Sequence, residues 1–531
     1  MIRIATAVRH DMSRRAFRAS CGVIVLLYLG LGLFYSRTLI SWDDESSFLA
    51  LGEMAITGQV ALFQDEMTGQ RMPLPFYVLG ASQILFGRNL WVARLVSLAL
   101  GVGVLAVTVA VARLLGGDRA GVLAGLLVAT QGAVVGYYAT ATYQSLTALI
   151  LMAAVWVMLK DTLPWRAALG MAAASLLFLT RTNLFPALPF FFVWALWLSR
   201  SAGERAAVVV AAGILPAAFF LSDPTHLKLL AHVPVLRRFV APLGYRSILE
   251  FSAVREADLD DQLWAVLLFA RRYESWAVAG AGVAAGAALV ARRHGIRPVL
   301  AWPRELWILT SLWVWLLLWH FVMWRVNFKI VAAYFPSFAP LLAVMLGVGF
   351  AALLRRDDLG RLGRGVALAT LAVALTVSVG FVRHPLMPRP IPVPFFGDSI
   401  QQVDRAARDL GALVPAGSPV FLFAQPMPAY LARVRPYLQQ IMSPGGTLAP
   451  ESVDPTVARR NGVWGIADVD RWLGREAAFA IIAPHFLVAL SDARPESVQR
   501  MRELLTERFE RIGRIGGGVF PPSDVYRRIR S

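Results

Sequence analysis

Apolar runs of about twenty residues recur through the first 380 positions of this chain, and each is long enough to cross a bilayer as a helix. No other feature restricts the fold as strongly. A soluble α/β enzyme has shorter apolar strands separated by polar helix faces. The composition agrees with the runs: 57% of the 531 residues are hydrophobic and only 16% are charged, against about 25% charged in soluble domains. Mean hydropathy is +0.58. The net charge of +18 does not point to nucleic acid. Its lysines and arginines collect in the short connections between apolar runs, where they set topology, and no basic face interleaves with stacking aromatics. Cys21, the only cysteine, leaves no disulfide framework and no thiolate metal site.

Taken in order, residues 1–19 read as a basic cytoplasmic tail, with a retained signal anchor after it. Eleven spans are expected: about 20–40, 90–115, 119–136, 138–159, 165–180, 184–199, 206–221, 275–291, 305–323, 330–354 and 365–381. Two larger outer loops interrupt them, at 41–89 and 222–274. Within the first, residues 44–58 carry apolar positions at helical spacing (Phe48, Leu51, Met54, Ala55). Residues 73–86 form a second apolar stretch too short to span. Both read as helices lying along the membrane surface. Residues 383–397 form a proline-rich linker. From 398 to 531 the composition turns globular. Helices are expected at 399–413, 429–440 and 495–509 and strands at 420–423 and 478–483, a small α/β domain on the outer side. The fold class is a polytopic α-helical membrane protein carrying that domain.

The stretch Trp42-Asp43-Asp44-Glu45-Ser46-Ser47 places three carboxylates just past the first span. From position alone the favoured role is capping of the following helix and its positive end. Three acids also suit a hard divalent cation. A third role is general base toward an attacking hydroxyl. Arg181, at the tip of the 181–183 hairpin, reads as structural. His320, inside an apolar span, reads as a partner for a backbone group, and His226 and His232 read as solvated.

The order span, acidic doublet, helix, Gly58, basic-Pro segment and second helix resembles the first outer loop of the GT-C membrane glycosyltransferases. In particular it resembles the protein O-mannosyltransferase and lipid A aminoarabinose transferase family. The residues that carry the likeness are Asp44-Glu45, Gly58, Arg71-Met72-Pro73-Leu74, Arg94-Leu95-Val96-Ser97, and Lys329 with Tyr334-Phe335-Pro336-Ser337-Phe338-Ala339-Pro340. Two departures stand out: Arg71 replaces the usual lysine, and Gln144 stands on span 4 where the family often has an acid.

The resemblance implies sugar transfer from a polyprenyl-phosphate donor to an acceptor hydroxyl or amine on a lipid, glycan or protein, at the outer face of the cytoplasmic membrane. Asp44 would be the base, with Asp43 its rival and Glu45 supporting the loop. Arg71, Lys329 and Arg325 would receive the leaving phosphate, with Tyr334 hydrogen-bonding it. No cofactor is demanded, although a divalent cation is compatible. Two rival classes are a flippase of lipid-linked sugars, which would place ionisable groups or broken helices at mid-membrane, and a glycan polymerase or ligase.

Overall fold

The computed structural model describes residues 11–41, 43–64, 72–232, 234–246, 269, 273–295, 302–323, 334–355, 360–380, 398–442, 447–517 and 520–529. Among the described residues ten α-helices run from Arg14 to Ser222: α1 (Arg14–Thr38), α2 (Asp43–Ile56), α3 (Pro73–Phe86), α4 (Leu90–Gly116), α5 (Asp118–Thr130), α6 (Gly132–Tyr138), α7 (Gln144–Leu159), α8 (Arg166–Ser175), α9 (Ala187–Leu198) and α10 (Ala202–Ser222). Local chemistry fixes their ends. Ser13 accepts the Ala16 N–H to start α1, and Asn89 accepts the N–H groups of Trp91 and Val92 to start α4. Pro73 occupies the first position of α3, where its missing N–H removes no helical bond.

Four single helices among the described residues are long and apolar enough to cross a membrane: α1, α4, α10 and Glu274–His294. The pair α5–α6 qualifies together but bends by 73°. The bend falls at Gln131, whose side chain caps α6 at Ala133 and donates to Ser275. Five further apolar helices among the described residues have 10–17 residues. At 1.5 Å per residue they reach about 15–26 Å, less than the hydrocarbon thickness of about 30 Å. The chain therefore interrupts several of the eleven expected spans with tight turns. Residues 176–179 and 182–184, for example, tighten into 3₁₀ turns on either side of Arg181.

The helical core gathers around α4, α5 and α7 with Ala339–Leu354, through Val104, Leu127, Val128, Leu151, Val155 and Val344. Such packing inside lipid relies on close approach of small residues rather than on exclusion of water. At α2 against α3 the approach is backbone on backbone. A methyl on Gly52 would overlap the carbonyl oxygen of Phe76, and one on Gly80 would overlap the Gly52 backbone. These two glycines lock α2 and α3 into one unit.

The C-terminal region is a five-stranded mixed sheet, order β2-β1-β3-β5-β4. Its strands are β1 (Pro419–Phe423), β2 (Arg435–Pro436), β3 (Phe479–Ile482), β4 (Phe509–Gly517) and β5 (Phe520–Arg528). β1 runs parallel to β2 and β3, while β5 runs antiparallel to β3 and β4. Phe421 and Phe423 are core residues, packed on Trp464. The single helix expected at 429–440 is two short ones, Pro426–Leu431 and Leu438–Met442, separated by β2. Arg433 there takes φ +59°, a left-handed conformation that stops a helix, and Pro436 follows it. The β4–β5 hairpin was not anticipated.

The sheet region docks on the acid-bearing loop. Ser399 Oγ donates to the carbonyls of Arg37 and Leu39, and Ser47 Oγ donates to the Ile441 and Met442 carbonyls at 3.1 and 3.0 Å. Arg88 grips Glu53 with Nε and Nη2 (2.9–3.1 Å), and Tyr430 Oη donates to the same carboxylate at 2.6 Å. Burial and this bond to a carboxylate push the Tyr430 hydroxyl far above the usual phenol range.

Candidate active site

The acidic run begins α2, so its carboxylates occupy the first helical turn, where unpaired N–H groups and the helix dipole favour negative charge. The helix rotates successive side chains by about 100°, and Asp44 and Glu45 leave it in different directions. Glu45 points inward and is fully buried with Arg94. Arg94 Nε donates to Glu45 Oε1 at 2.8 Å and Nη2 to Oε2 at 2.7 Å. Its Nη1 donates to the carbonyls of Ser36 and Leu39, both at 2.8 Å, and the Ala141 N–H donates to Glu45 Oε1 at 2.7 Å. One ion pair thus ties the end of α1, the start of α2, α4 and the α6–α7 turn.

Asp44 is only half-buried. Its charge acts on Arg181 and on Tyr143. Arg181 is 9% exposed and is held in extended backbone between two 3₁₀ turns. Its guanidinium lies 4.3 Å from the Tyr143 ring centre and 5.4 Å from that of Tyr334. Nη2 donates to Tyr334 Oη at 3.2 Å. Nη1 is buried and has no hydrogen-bond partner among the described residues. A buried guanidinium with donors to spare is an expensive arrangement, and an anion arriving beside it relieves the deficit with a charge-assisted bond.

Behind this cluster, His320 is fully buried and stacks on Phe338. A carbonyl can only accept, so His320 Nδ1 carries the proton that bonds the Leu316 carbonyl at 2.6 Å, and Nε2 receives the Asn183 amide at 2.8 Å. Asn183, two residues from Arg181, is thereby anchored. The second loop reaches toward the first: Lys228 Nζ, buried, donates to the Gln64 carbonyl at 2.6 Å. His226 is packed rather than solvated, stacked on Phe219 at 4.0 Å.

No protein-family model matches this chain, and no curated protein matches it. Solved structures do. ArnT from Cupriavidus metallidurans bound to undecaprenyl phosphate superposes with a TM-score of 0.58, over 98% of this chain and 99% of its own, at 14% identity. The same protein in the apo state gives 0.56, over 96% and 97%, at 15% identity. The Archaeoglobus fulgidus oligosaccharyltransferase tethered to an acceptor peptide gives 0.50, over 98% of this chain and 74% of its own, at 12% identity. The chain has the GT-C glycosyltransferase fold.

Within this GT-C fold the structure brings together Asp44 and Tyr334, two of the sequence candidates, and adds Arg181 and Tyr143. Asp43 opens α2, but its side chain lies outside the described atoms, as do Arg71, Lys329 and Arg325 altogether. Among the described residues no cluster of three His, Cys, Asp or Glu side chains is placed to hold a metal. Both oxygens of Glu45 are engaged by Arg94, so three acids do not converge on one cation. Arg181 had a usable signal: it is the one charged residue between Arg166 and Arg200, and an ionisable group in so apolar a stretch marks function by default. Arg94 had a weaker one, its place in a family-like Arg-Leu-Val-Ser motif.

Proposed function

We propose that this chain is a membrane glycosyltransferase. It moves a sugar from a polyprenyl-phosphate donor to an acceptor hydroxyl or amine at the outer face of the cytoplasmic membrane. The observation that carries this reading is a half-buried carboxylate, Asp44, within electrostatic range of a buried guanidinium, Arg181, that keeps a donor without a partner among the described residues, set in a GT-C fold. ArnT, one of the similar structures, was solved with undecaprenyl phosphate, the kind of lipid phosphate that the transfer would release.

Asp44 acts as general base. It takes the proton of the acceptor hydroxyl as that oxygen forms its bond to the sugar's anomeric carbon. The bond from that carbon to the phosphate oxygen breaks, and the electron pair leaves with the lipid phosphate. The growing negative charge needs donors fixed in advance. Arg181 Nη1 and Tyr334 supply them, joined by Arg71, Lys329 and Arg325 from the flanking segments. Asp43 remains the rival base. Glu45 positions: through Arg94 it fixes the pitch at which α2 presents Asp44. The Asn183–His320 pair holds the backbone beside Arg181. The outward placement rests on lysines and arginines collecting in the alternate connections.

The test supplies purified protein with polyprenyl-phosphate sugars and membrane extract, and follows the mass gained by acceptors. Transfer that depends on the lipid-phosphate donor is expected. Transfer only from a nucleotide sugar, or export of the lipid-linked sugar without bond formation, contradicts the reading. Loss of transfer in Asp43→Asn with full activity in Asp44→Asn would move the base by one residue.

A further inference from the structure

A cavity lies along the same helix, away from Asp44. It has a volume of about 480 Å³ and forms between the C-terminal half of α2 and the sheet region. Ala50, Met54 and Ile441 give it an apolar wall, and Arg88, Arg433 and Arg435 give it three guanidinium groups. Its size falls in the range of ligand sites, about 300–1,000 Å³. Arg88 is matched by Glu53. Arg433 and Arg435 have no carboxylate within ion-pair distance among the described residues, and both are exposed. The cavity therefore carries a surplus of about two positive charges. Arg433 is also one of three non-glycine residues with positive φ among those described, a conformation that costs on the order of 1 kcal/mol and that functional sites tolerate. The α3 helix that leads into Arg88 ends in Leu85 and Phe86, 74% and 66% exposed. In a membrane protein such side chains face acyl chains.

We infer that this cavity binds the headgroup of an anionic phospholipid, its phosphate held by Arg433 and Arg435 and its acyl chains lying along α3. Charge complementarity selects the anion, and the exposed apolar end of α3 selects a lipid over a soluble phosphate. The site is separate from the Asp44–Arg181 cluster. Ala50 and Met54 follow Asp44 by six and ten residues, which is about 9–15 Å along the helix. A lipid seated there touches both α2 and the sheet region, so it acts as cement between them.

Native mass spectrometry of the full-length protein, loaded with phosphatidylglycerol or phosphatidylcholine, tests this. Wild type should retain phosphatidylglycerol in preference. Arg433→Ala/Arg435→Ala should retain about tenfold less, since each substitution removes a charge-assisted bond. Both residues are exposed, so the variant should fold, as its unfolding midpoint without added lipid will establish. Arg181→Gln should retain phosphatidylglycerol as wild type does. Equal retention of the two lipids, or undiminished retention in the double variant, overturns the inference. Displacement by an equal concentration of inorganic phosphate overturns the lipid assignment, and loss of retention in Arg181→Gln overturns the separateness of the site.

Discussion

Asp44 and Glu45 are adjacent in the chain and sit in opposite surroundings. The region around Glu45 is closed. Its carboxylate and the Arg94 guanidinium are fully buried, doubly bonded to each other and bonded to three backbone groups. The region around Asp44 is open. Its guanidinium, on Arg181, keeps a buried donor without a partner among the described residues, and its carboxylate is half-exposed. An acid and an arginine thus build a scaffold in one place, while in the other an arginine donor is left for an anion to take. Satisfaction of hydrogen bonds, together with the deeper burial of Glu45, separates the two. A saturated ion pair has nothing left to offer a ligand, while a buried donor without a partner gains a bond when an anion arrives.

The contrast can be broken from either side. The largest effect should come from the closed region. Arg94→Ala strands the Glu45 carboxylate, and removing one member of a buried pair costs about 3–5 kcal/mol. Denaturation of purified protein should show that loss, with expression falling alongside it. An Arg94→Ala protein as stable as wild type would mean that the clamp is not structural. Next comes the open region. Arg181→Gln should lower kcat by about 10²–10³, as loss of one transition-state donor does, with an unfolding midpoint at or above that of wild type. A drop in stability with unchanged kcat would reassign Arg181 to the scaffold. Tyr334→Phe should be milder, about ten- to hundredfold in kcat, the worth of one hydrogen bond to a charged group. The smallest effect belongs to the seam with the sheet region. Glu53→Gln weakens a partly exposed bidentate pair and should cost about 1 kcal/mol, visible as faster proteolysis between the helical part and the sheet.

Much of this was legible before the structure. Long apolar runs dictate membrane helices because an unpaired backbone is intolerable in hydrocarbon. Gly58 at φ +72° lies just past the end of α2 and Pro73 opens α3, as their residue chemistry demands. The division of labour between Asp44 and Glu45 was harder to read. Both are acids in one helical turn, and only the position of Arg94, 49 residues on in sequence, tells them apart. Arg181 reads as structural from its place at a hairpin tip, and what surrounds it, Tyr143 and Tyr334, comes from distant segments. The β4–β5 hairpin escaped because its strands carry glycines at 513, 516 and 517 and prolines at 521 and 522, residues that weaken any strand pattern. The break at Arg433–Pro436 escaped because a left-handed arginine has no signature of its own.

The central claim is that neighbouring carboxylates divide chemistry from scaffold. It is tested most directly by measuring sugar transfer and the thermal unfolding midpoint on one preparation of Asp44→Asn. The account predicts transfer lowered by at least about 10² at a wild-type midpoint. Transfer at the wild-type rate from a folded Asp44→Asn protein would contradict it.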